Sequence, residues 1–338
     1  MEKLRGALFG CGMISEFHLR GWERIPEVEI VALGNRTIAR AEQRRDQFAP
    51  GARLYSDLAA MLERERLDFI DILTAPAVHR EQCLLARQAG LHIICQKPLC
   101  DSLENARALA REMEGYPRLF AVHENHRYRP WFQAIREQLS AGFFGPPSLV
   151  RLEHLNATGP GEASYKNEVQ TGVLLEYGSH LVDMMRGLLG EPRRVYARMH
   201  HLNPRVRGES LVHAVYEYPE ATAVVEVAWK HAAITQGSVL VAGLEGEAYY
   251  EGTMTRGQTG RFRLSRGSEV VLDEPRCPYA DYVESFYLLE RECVDAMLGR
   301  RGGVVQTARE HLKTLACAFA AYESAARGAV LKIPAEAM

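Results

Sequence analysis

Lys97 is the first residue whose type and place could do chemistry. It closes the run His92-Ile93-Ile94-Cys95-Gln96-Lys97-Pro98, which reads as a short buried strand, His92 to Cys95, ending at a lysine that a proline holds stiffly. A lysine at the end of a central parallel strand sits in the crevice where open α/β sheets bind ligands. The plain alternative is a solvated loop lysine. Pro98 weakens it, because an X-Pro bond restricts the lysine backbone and can be cis. A second group lies far along the chain. Over 173–189 the pattern predicts a helix whose apolar stripe is Leu174, Tyr177, Leu181, Met184, Met185 and Leu188, with Glu176, His180 and Asp183 on a polar stripe beside it. An ammonium can hold an oxygen and an imidazole can exchange a proton near neutrality, so the two groups together suit acid–base work on a polar substrate. Taken alone, Glu176 and His180 read as an ordinary surface pair worth a few tenths of a kcal/mol.

The elements that must position these residues begin at the first strand, Leu4 to Gly10. It runs into Gly10-Cys11-Gly12-Met13-Ile14-Ser15 and then a helical pattern through Arg24, the strand, glycine turn and helix of a dinucleotide site. Gly10 permits the tight turn, and Gly12 lets backbone N–H groups approach a pyrophosphate at the positive end of the helix. Ser15 replaces a third glycine, and its hydroxyl could reach phosphate. After the second strand, Val28 to Leu33, the ribose position carries Asn35 and Arg36 where an NAD enzyme usually has a carboxylate. A guanidinium there pairs with a 2′-phosphate, which makes NADP the preferred cofactor; an Arg36 stacked on adenine would admit NAD as well. Strands and helices alternate on to about residue 123, completing six strands, so residues 1–123 are expected to form a doubly wound parallel Rossmann sheet. The polar run Glu124-Asn125-His126-Arg127-Tyr128-Arg129-Pro130 leaves the last strand on the crevice side. From Ser148 the chain alternates at period two over 148–155, 193–200, 211–218, 222–230, 237–242 and 261–273, predicting that 124–338 is an α+β domain with a large, mostly antiparallel open sheet.

The chain has 338 residues, 41 Lys and Arg against 43 Asp and Glu, and a net charge of -2, with 47% hydrophobic residues. This is ordinary globular composition, and it gives no reason to expect nucleic acid or a membrane as partner. No apolar run approaches the length needed to span a bilayer, and Met1 to Arg5 leads straight into a strand, so the cytoplasm is the expected compartment. Seven scattered cysteines, with no C-x-x-C pair, read as reduced thiols.

The glycine turn, Gln96-Lys97-Pro98 and the Glu176 to His180 pair, in that order, resemble the Gfo/Idh/MocA family of sugar and cyclitol oxidoreductases. So do His18, Thr74-Ala75-Pro76 with His79, Asn125 and Arg127, Gly178 with His180 and Asp183, and the closing Ala321-Tyr322 with Ser324-Ala325. The run from Gly190-Glu191-Pro192 to Gly208-Glu209, with Pro130-Trp131, resembles the branch that includes D-apiose dehydrogenase. Two departures stand out: Gln96 where the family usually has Glu, and Glu176 where it commonly has Asp.

The resemblance implies hydride transfer between a nicotinamide and a secondary alcohol or ketone of a sugar, sugar derivative or cyclitol. In that reading Lys97 holds the reacting oxygen, His180 moves the proton, and Glu176 orients the ring or grips a neighbouring hydroxyl. Thr74, Pro76, His79, Gln96, Lys97 and Asn125 then join Gly10, Gly12, Met13, Ile14, Asn35 and Arg36 around the cofactor. Glu124, Arg127, Tyr165, Glu176 and His180 join Lys97 around a small polyhydroxylated substrate. Asp183 is expected to be structural, and no metal is expected, since the family gives Glu176, His180 and Asp183 metal-free roles. Two rivals stay open: a redox and elimination enzyme that keeps NAD bound while cleaving a glycosidic bond, and a non-catalytic dinucleotide sensor. Val225, Val227 and Trp229, read as an exposed sheet face, point to a homodimer or homotetramer through the C-terminal sheet.

Overall fold

The computed structural model describes residues 3–162, 164–230, 233, 235–253 and 257–333. The chain divides into two compact units, one made of the chain up to Asn125 with Val283–Leu312, the other of His126–Tyr282 with the chain from Lys313 on.

In the first unit the elements run β1 (Leu4–Phe9), α1 (Ser15–Trp22), β2 (Val28–Gly34), α2 (Ile38–Phe48), β3 (Arg53–Tyr55), α3 (Leu58–Arg64), β4 (Phe69–Ile72), α4 (Pro76–Gln88), β5 (His92–Gln96), α5 (Leu103–Glu112) and β6 (Phe120–His123). All six strands are parallel, in the order β3-β2-β1-β4-β5-β6. The order reverses between β1 and β4, and the ligand crevice of such sheets lies beyond the carboxyl ends of the strands at that point. All four residues of β4 are buried, three of them apolar and the fourth Asp71, as suits a parallel strand covered on both faces. Helix starts follow local chemistry. Asp57 accepts the Ala60 N–H at 2.9 Å, Ser102 accepts that of Asn105 at 3.2 Å, and Pro76 opens α4 where no N–H is needed. β3 has only three residues, too few for an alternation to be read in the sequence. Val283–Leu312, which the sequence reading leaves with the second domain, also belongs here. Gln306 O accepts the Val122 N–H at 2.8 Å, and Arg291 pairs with Glu27 at 2.8 Å.

In the second unit the elements run α6 (Pro130–Ser140), β7 (Pro147–Asn156), a π-turn (Leu174–Gly178), α7 (Ser179–Leu189), β8 (Arg194–His200), β9 (Leu211–Glu217), β10 (Thr222–Trp229), β11 (Gln236–Gly243), β12 (Gly246–Gly252), β13 (Gly260–Arg266) and β14 (Glu269–Arg276). α8 (Pro278–Met297) and α9 (Ala308–Arg327) follow, each crossing a boundary between the units, and β15 (Leu331–Lys332) closes the chain. Nine strands pair in the order β14-β13-β12-β11-β7-β10-β9-β8-β15, antiparallel except for β7 beside β10. β12 occupies a stretch that the sequence reading assigns to no strand.

Val225, Val227 and Trp229 do not form the exposed face expected of them. They are 0%, 0% and 6% exposed and lie in the core of this unit with Trp131, Leu181, Met184 and Met185. A period-two pattern says that one face is apolar but not whether something covers it. The other face carries Glu226, which Arg151 grips at 2.6 Å. All seven cysteines are free. Among the described residues, no helix is long and apolar enough to cross a membrane.

Candidate functional site

In the first unit the glycine turn joins β1 to α1. Gly10 sits at φ +114°, and a Cβ there would lie 2.6 Å from the Leu73 carbonyl carbon, so both the backbone angle and the close approach require glycine. A Cβ on Gly12 would meet nothing within 4 Å. That open backbone at the start of α1 fits a dinucleotide pyrophosphate. Met13 beside it is 64% exposed. Ser15 has another task than the one expected. Its buried hydroxyl donates to Gly12 O at 2.6 Å and accepts from Arg44 Nε at 3.1 Å, so it ties the turn to α2. Arg44, missed in the sequence, thereby sets a guanidinium beside the turn. Asn35 is likewise turned inward: its Oδ1 accepts the Cys11 N–H at 3.0 Å, and its Nδ2 donates to Thr37 O at 2.8 Å. Arg36 is exposed. Burial pushes the Cys11 thiol up to about 12, so it stays neutral.

Lys97 follows directly on β5, its peptide bond to Pro98 cis. The residues around it are fixed by side-chain hydrogen bonds. His79, fully buried, lies with Nε2 3.0 Å from Thr74 O and Nδ1 3.1 Å from Pro98 O, clamping the loop after β4 to the loop after β5. Thr74 Oγ1 donates to Gln82 at 2.6 Å. Gln96 is 8% exposed, with Oε1 on the Lys97 N–H at 2.8 Å and Nε2 2.9 Å from His18 Nε2. Behind them His18 Nδ1 and Trp22 Nε1 lie 2.8 and 2.9 Å from Asp71 Oδ2. His18, His123 and Glu290 bring ligand-type atoms within 4.8 Å of one another, but His18 Nδ1 is already turned onto Asp71. Glu124 is fully buried at the end of β6, and Asn125 donates to Ser285 at 2.7 Å.

In the second unit Glu176 and His180 flank the step from π-turn to helix. Glu209 positions that start: its buried carboxylate accepts the N–H groups of Gly172 and Leu174 at 2.8 and 2.9 Å and the Tyr322 hydroxyl at 2.8 Å, capping donors that a helix start leaves without partners. A Cβ on Gly172 would lie 1.9 Å from Glu209 O. The sequence predicts an unbroken helix from 173, whereas the first turn here is a π-turn, which is wider and shifts the helical phase. Glu176 Oε1 accepts the Tyr165 hydroxyl at 3.0 Å, and Lys166 Nζ is 2.8 Å from its Oε2. Burial of the phenol and the neighbouring carboxylate push the Tyr165 pKa up, keeping it a donor. Asn167, the next residue, turns its amide to Gly161 O at 2.9 Å.

His180, 6% exposed, stacks on His126 with ring centroids 3.7 Å apart and planes 19° apart. His126 Nε2 lies 3.1 Å from Arg129 Nη2, which can only donate, so that nitrogen is the acceptor. Tyr177 meets His180 edge-on at 5.5 Å and stacks on His154 at 3.9 Å. Burial, then Arg129, pushes His154 down to about 3, so its ring is neutral. The structure thus brings His126 and Tyr177 to His180, and His154 to Tyr177; the two histidines were not expected there. Arg127, expected against the substrate, is instead bound to Asp183: Nε to Oδ2 at 2.7 Å and Nη2 to Oδ1 at 2.8 Å, with Thr314 donating to Oδ1 at 2.9 Å. A guanidinium only 6% exposed is stable here because that carboxylate neutralises it.

A doubly wound sheet with an open glycine turn, carried in one chain with a large mixed sheet, defines a dinucleotide-binding oxidoreductase. Residues 4–124 match the family description "Oxidoreductase family, NAD-binding Rossmann fold", and residues 132–249 match "GFO/IDH/MocA C-terminal domain". The chain belongs to the Gfo/Idh/MocA family and is an NAD(P)-dependent oxidoreductase acting on CH–OH groups. It is similar to the D-apiose dehydrogenase of Paraburkholderia graminis, 32% identical over 98% of this chain and 90% of that protein. The D-apiose dehydrogenase of Rhizobium rhizogenes is 29% identical over 99% of each. Among solved structures, an oxidoreductase from Agrobacterium radiobacter in complex with NAD+, L-tartaric acid and magnesium superposes with a TM-score of 0.84 at 28% identity, over 98% of both chains.

Proposed function

We propose that this protein oxidises a secondary alcohol of a sugar, sugar derivative or cyclitol, or reduces the corresponding ketone, with the first unit binding the dinucleotide and the second the substrate. The observation that carries the reading is that Lys97 follows directly on β5, at the carboxyl edge of the sheet, one strand from the point where strand order reverses. A bound nicotinamide dinucleotide supplies the hydride acceptor or donor. Gly12 and the first N–H groups of α1 hold its pyrophosphate. Lys97 as an ammonium holds the reacting oxygen and favours its alkoxide. His180 takes the hydroxyl proton in oxidation and returns it in reduction, and the His126 ring stacked on it fixes the imidazole plane. Glu176, held between Tyr165 and Lys166, offers a carboxylate to a neighbouring hydroxyl of the substrate.

NADP is the preferred cofactor in this reading, because no carboxylate follows β2 and Arg36 is exposed there. The relative from Agrobacterium radiobacter holds NAD+, so both nucleotides enter the test. The substrate class follows from the polar character of Glu176, His180 and Lys166 and from the two D-apiose dehydrogenases the chain resembles. The experiment titrates purified protein with NADPH and NADH by tryptophan energy transfer, then screens D-apiose and other sugars and cyclitols for reduction of the better nucleotide. Lys97→Met is expected to bind the nucleotide normally and lose at least about a hundredfold in kcat. Unchanged turnover in Lys97→Met, or no binding of either nucleotide, would refute the proposal.

A further inference from the structure

Four buried side chains of the first unit, Trp22, Asp71, His18 and Gln96, form a line that ends at the backbone of Lys97. Trp22 Nε1 and His18 Nδ1 approach Asp71 Oδ2, His18 Nε2 lies 2.9 Å from Gln96 Nε2, and Gln96 Oε1 takes the Lys97 N–H. Only one arrangement of protons satisfies every pair. A carboxylate oxygen accepts, so the imidazole proton is on Nδ1. His18 Nε2 is then a bare acceptor, which the carboxamide nitrogen fills by donating. That leaves the carboxamide oxygen for Lys97. An ionised glutamate at position 96 has no proton to offer, and both nitrogens of His18 would have to donate to it. The side chain at 96 therefore decides whether His18 Nε2 accepts or donates.

We propose that Gln96 is a positioning residue for Lys97: it holds His18 as the neutral Nδ1–H tautomer and ties the lysine backbone to the buried His18–Asp71 pair. The inference rests on the reading of Lys97 given above. The other groups facing His18 are His123 on β6, with ring centroids 4.0 Å apart, and Glu290 on α8, whose Oε1 lies 3.7 Å from both His18 Nδ1 and His123 Nε2. Burial, then Asp71, holds the Glu290 carboxyl well above the usual range, so it is a neutral acid. The Cys95 and Cys293 thiols near Asp71 are pushed up by burial and are neutral as well.

The test is the ring nitrogen spectrum of uniformly 15N-labelled protein, with the His18 signals identified by their loss in His18→Asn. In the native chain the proton is expected on Nδ1, with Nε2 the bare nitrogen. In Gln96→Glu both nitrogens are expected to be protonated at neutral pH. Gln96→Leu, which offers neither donor nor acceptor, is expected to lower kcat about tenfold, more than it changes the NADPH and NADH dissociation constants. A native spectrum with the proton on Nε2 overturns the proposal whether or not the variants fold. So does a Gln96→Glu spectrum identical to the native one, or a Gln96→Leu enzyme with native kcat. If instead Lys97→Met keeps native turnover, the role of Lys97 fails while the spectrum still reports the tautomer that Gln96 imposes.

Discussion

His154 makes the second unit sensitive to acid, and His154→Phe should remove that sensitivity. The ring is 1% exposed and stacks on Tyr177, and neither nitrogen has a hydrogen-bond partner among the described residues. An unfolded histidine takes up its proton near 6.5, whereas burial and Arg129 push His154 down to about 3 in the fold. Below 6.5, then, the unfolded chain binds a proton that the folded chain refuses, so this residue's contribution to stability is present at neutral pH and is lost as pH falls. The slope is about 1.4 kcal/mol per pH unit, so roughly 2 kcal/mol is lost between about pH 6.5 and about pH 5. Phenylalanine keeps an aromatic ring on Tyr177 and has no proton site. The assay is denaturant unfolding of both proteins at about pH 7.5 and about pH 5, followed by hydrogen exchange of the β7 amides, which reports on the second unit. Comparing each protein with itself at the two pH values cancels any constant change in packing. If native and His154→Phe proteins lose stability in parallel between the two pH values, the reasoning is wrong.

Glu290 should give the opposite slope. Its carboxyl is held well above the usual range, so the fold keeps a proton that the unfolded chain releases above about 4.5, and stability declines as pH rises. Glu290→Gln should flatten that decline by up to about 1.4 kcal/mol per pH unit, seen in unfolding of the first unit between mildly acid and neutral pH. Glu209→Ala removes the acceptor of three hydrogen bonds and should cost roughly 3 kcal/mol, with faster hydrogen exchange at residues 172–176. Arg127→Ala leaves Asp183 buried with Thr314 and a more distant Arg186 at 3.7 Å, and should cost roughly 3 kcal/mol in denaturant unfolding. Arg127→Ala with native stability would mean that Asp183 does not depend on this pair.

Local patterns were legible in the sequence where one stretch of chain decides the outcome. β1, the glycine turn and α1 could be read because an apolar strand, two glycines and a helical period follow one another directly. So could β5 with Lys97 at its end. What escaped depends on partners distant in sequence. Glu209, 35 residues beyond Leu174, caps the start of the helix region that carries Glu176. Nothing in its neighbours announces this. The π-turn was missed because Leu174, Tyr177 and Leu181 fit a regular helical period too. His126 and His180 come from separate elements, so their stacking has no sequence signal, and the same holds for Tyr177 on His154. Arg127 and Ser15 were read as ligand contacts because both are polar and near motifs. Each instead has a nearer protein partner, and a local motif cannot reveal that competition.

The insertion of the second unit between Asn125 and Val283 has a consequence for how the protein is made. A ribosome delivers the six strands of the parallel sheet early, but Gln306, which accepts from β6, and Glu290, packed on Gly21, emerge only when almost the whole chain has been synthesised. Domains generally fold as units in the order in which they leave the ribosome. Here the nucleotide-binding sheet must wait, with the β6 side and the surface around His18 and Gly21 uncovered, while the second unit is translated. A nascent chain stalled before Val283 should therefore be the species that chaperones hold longest.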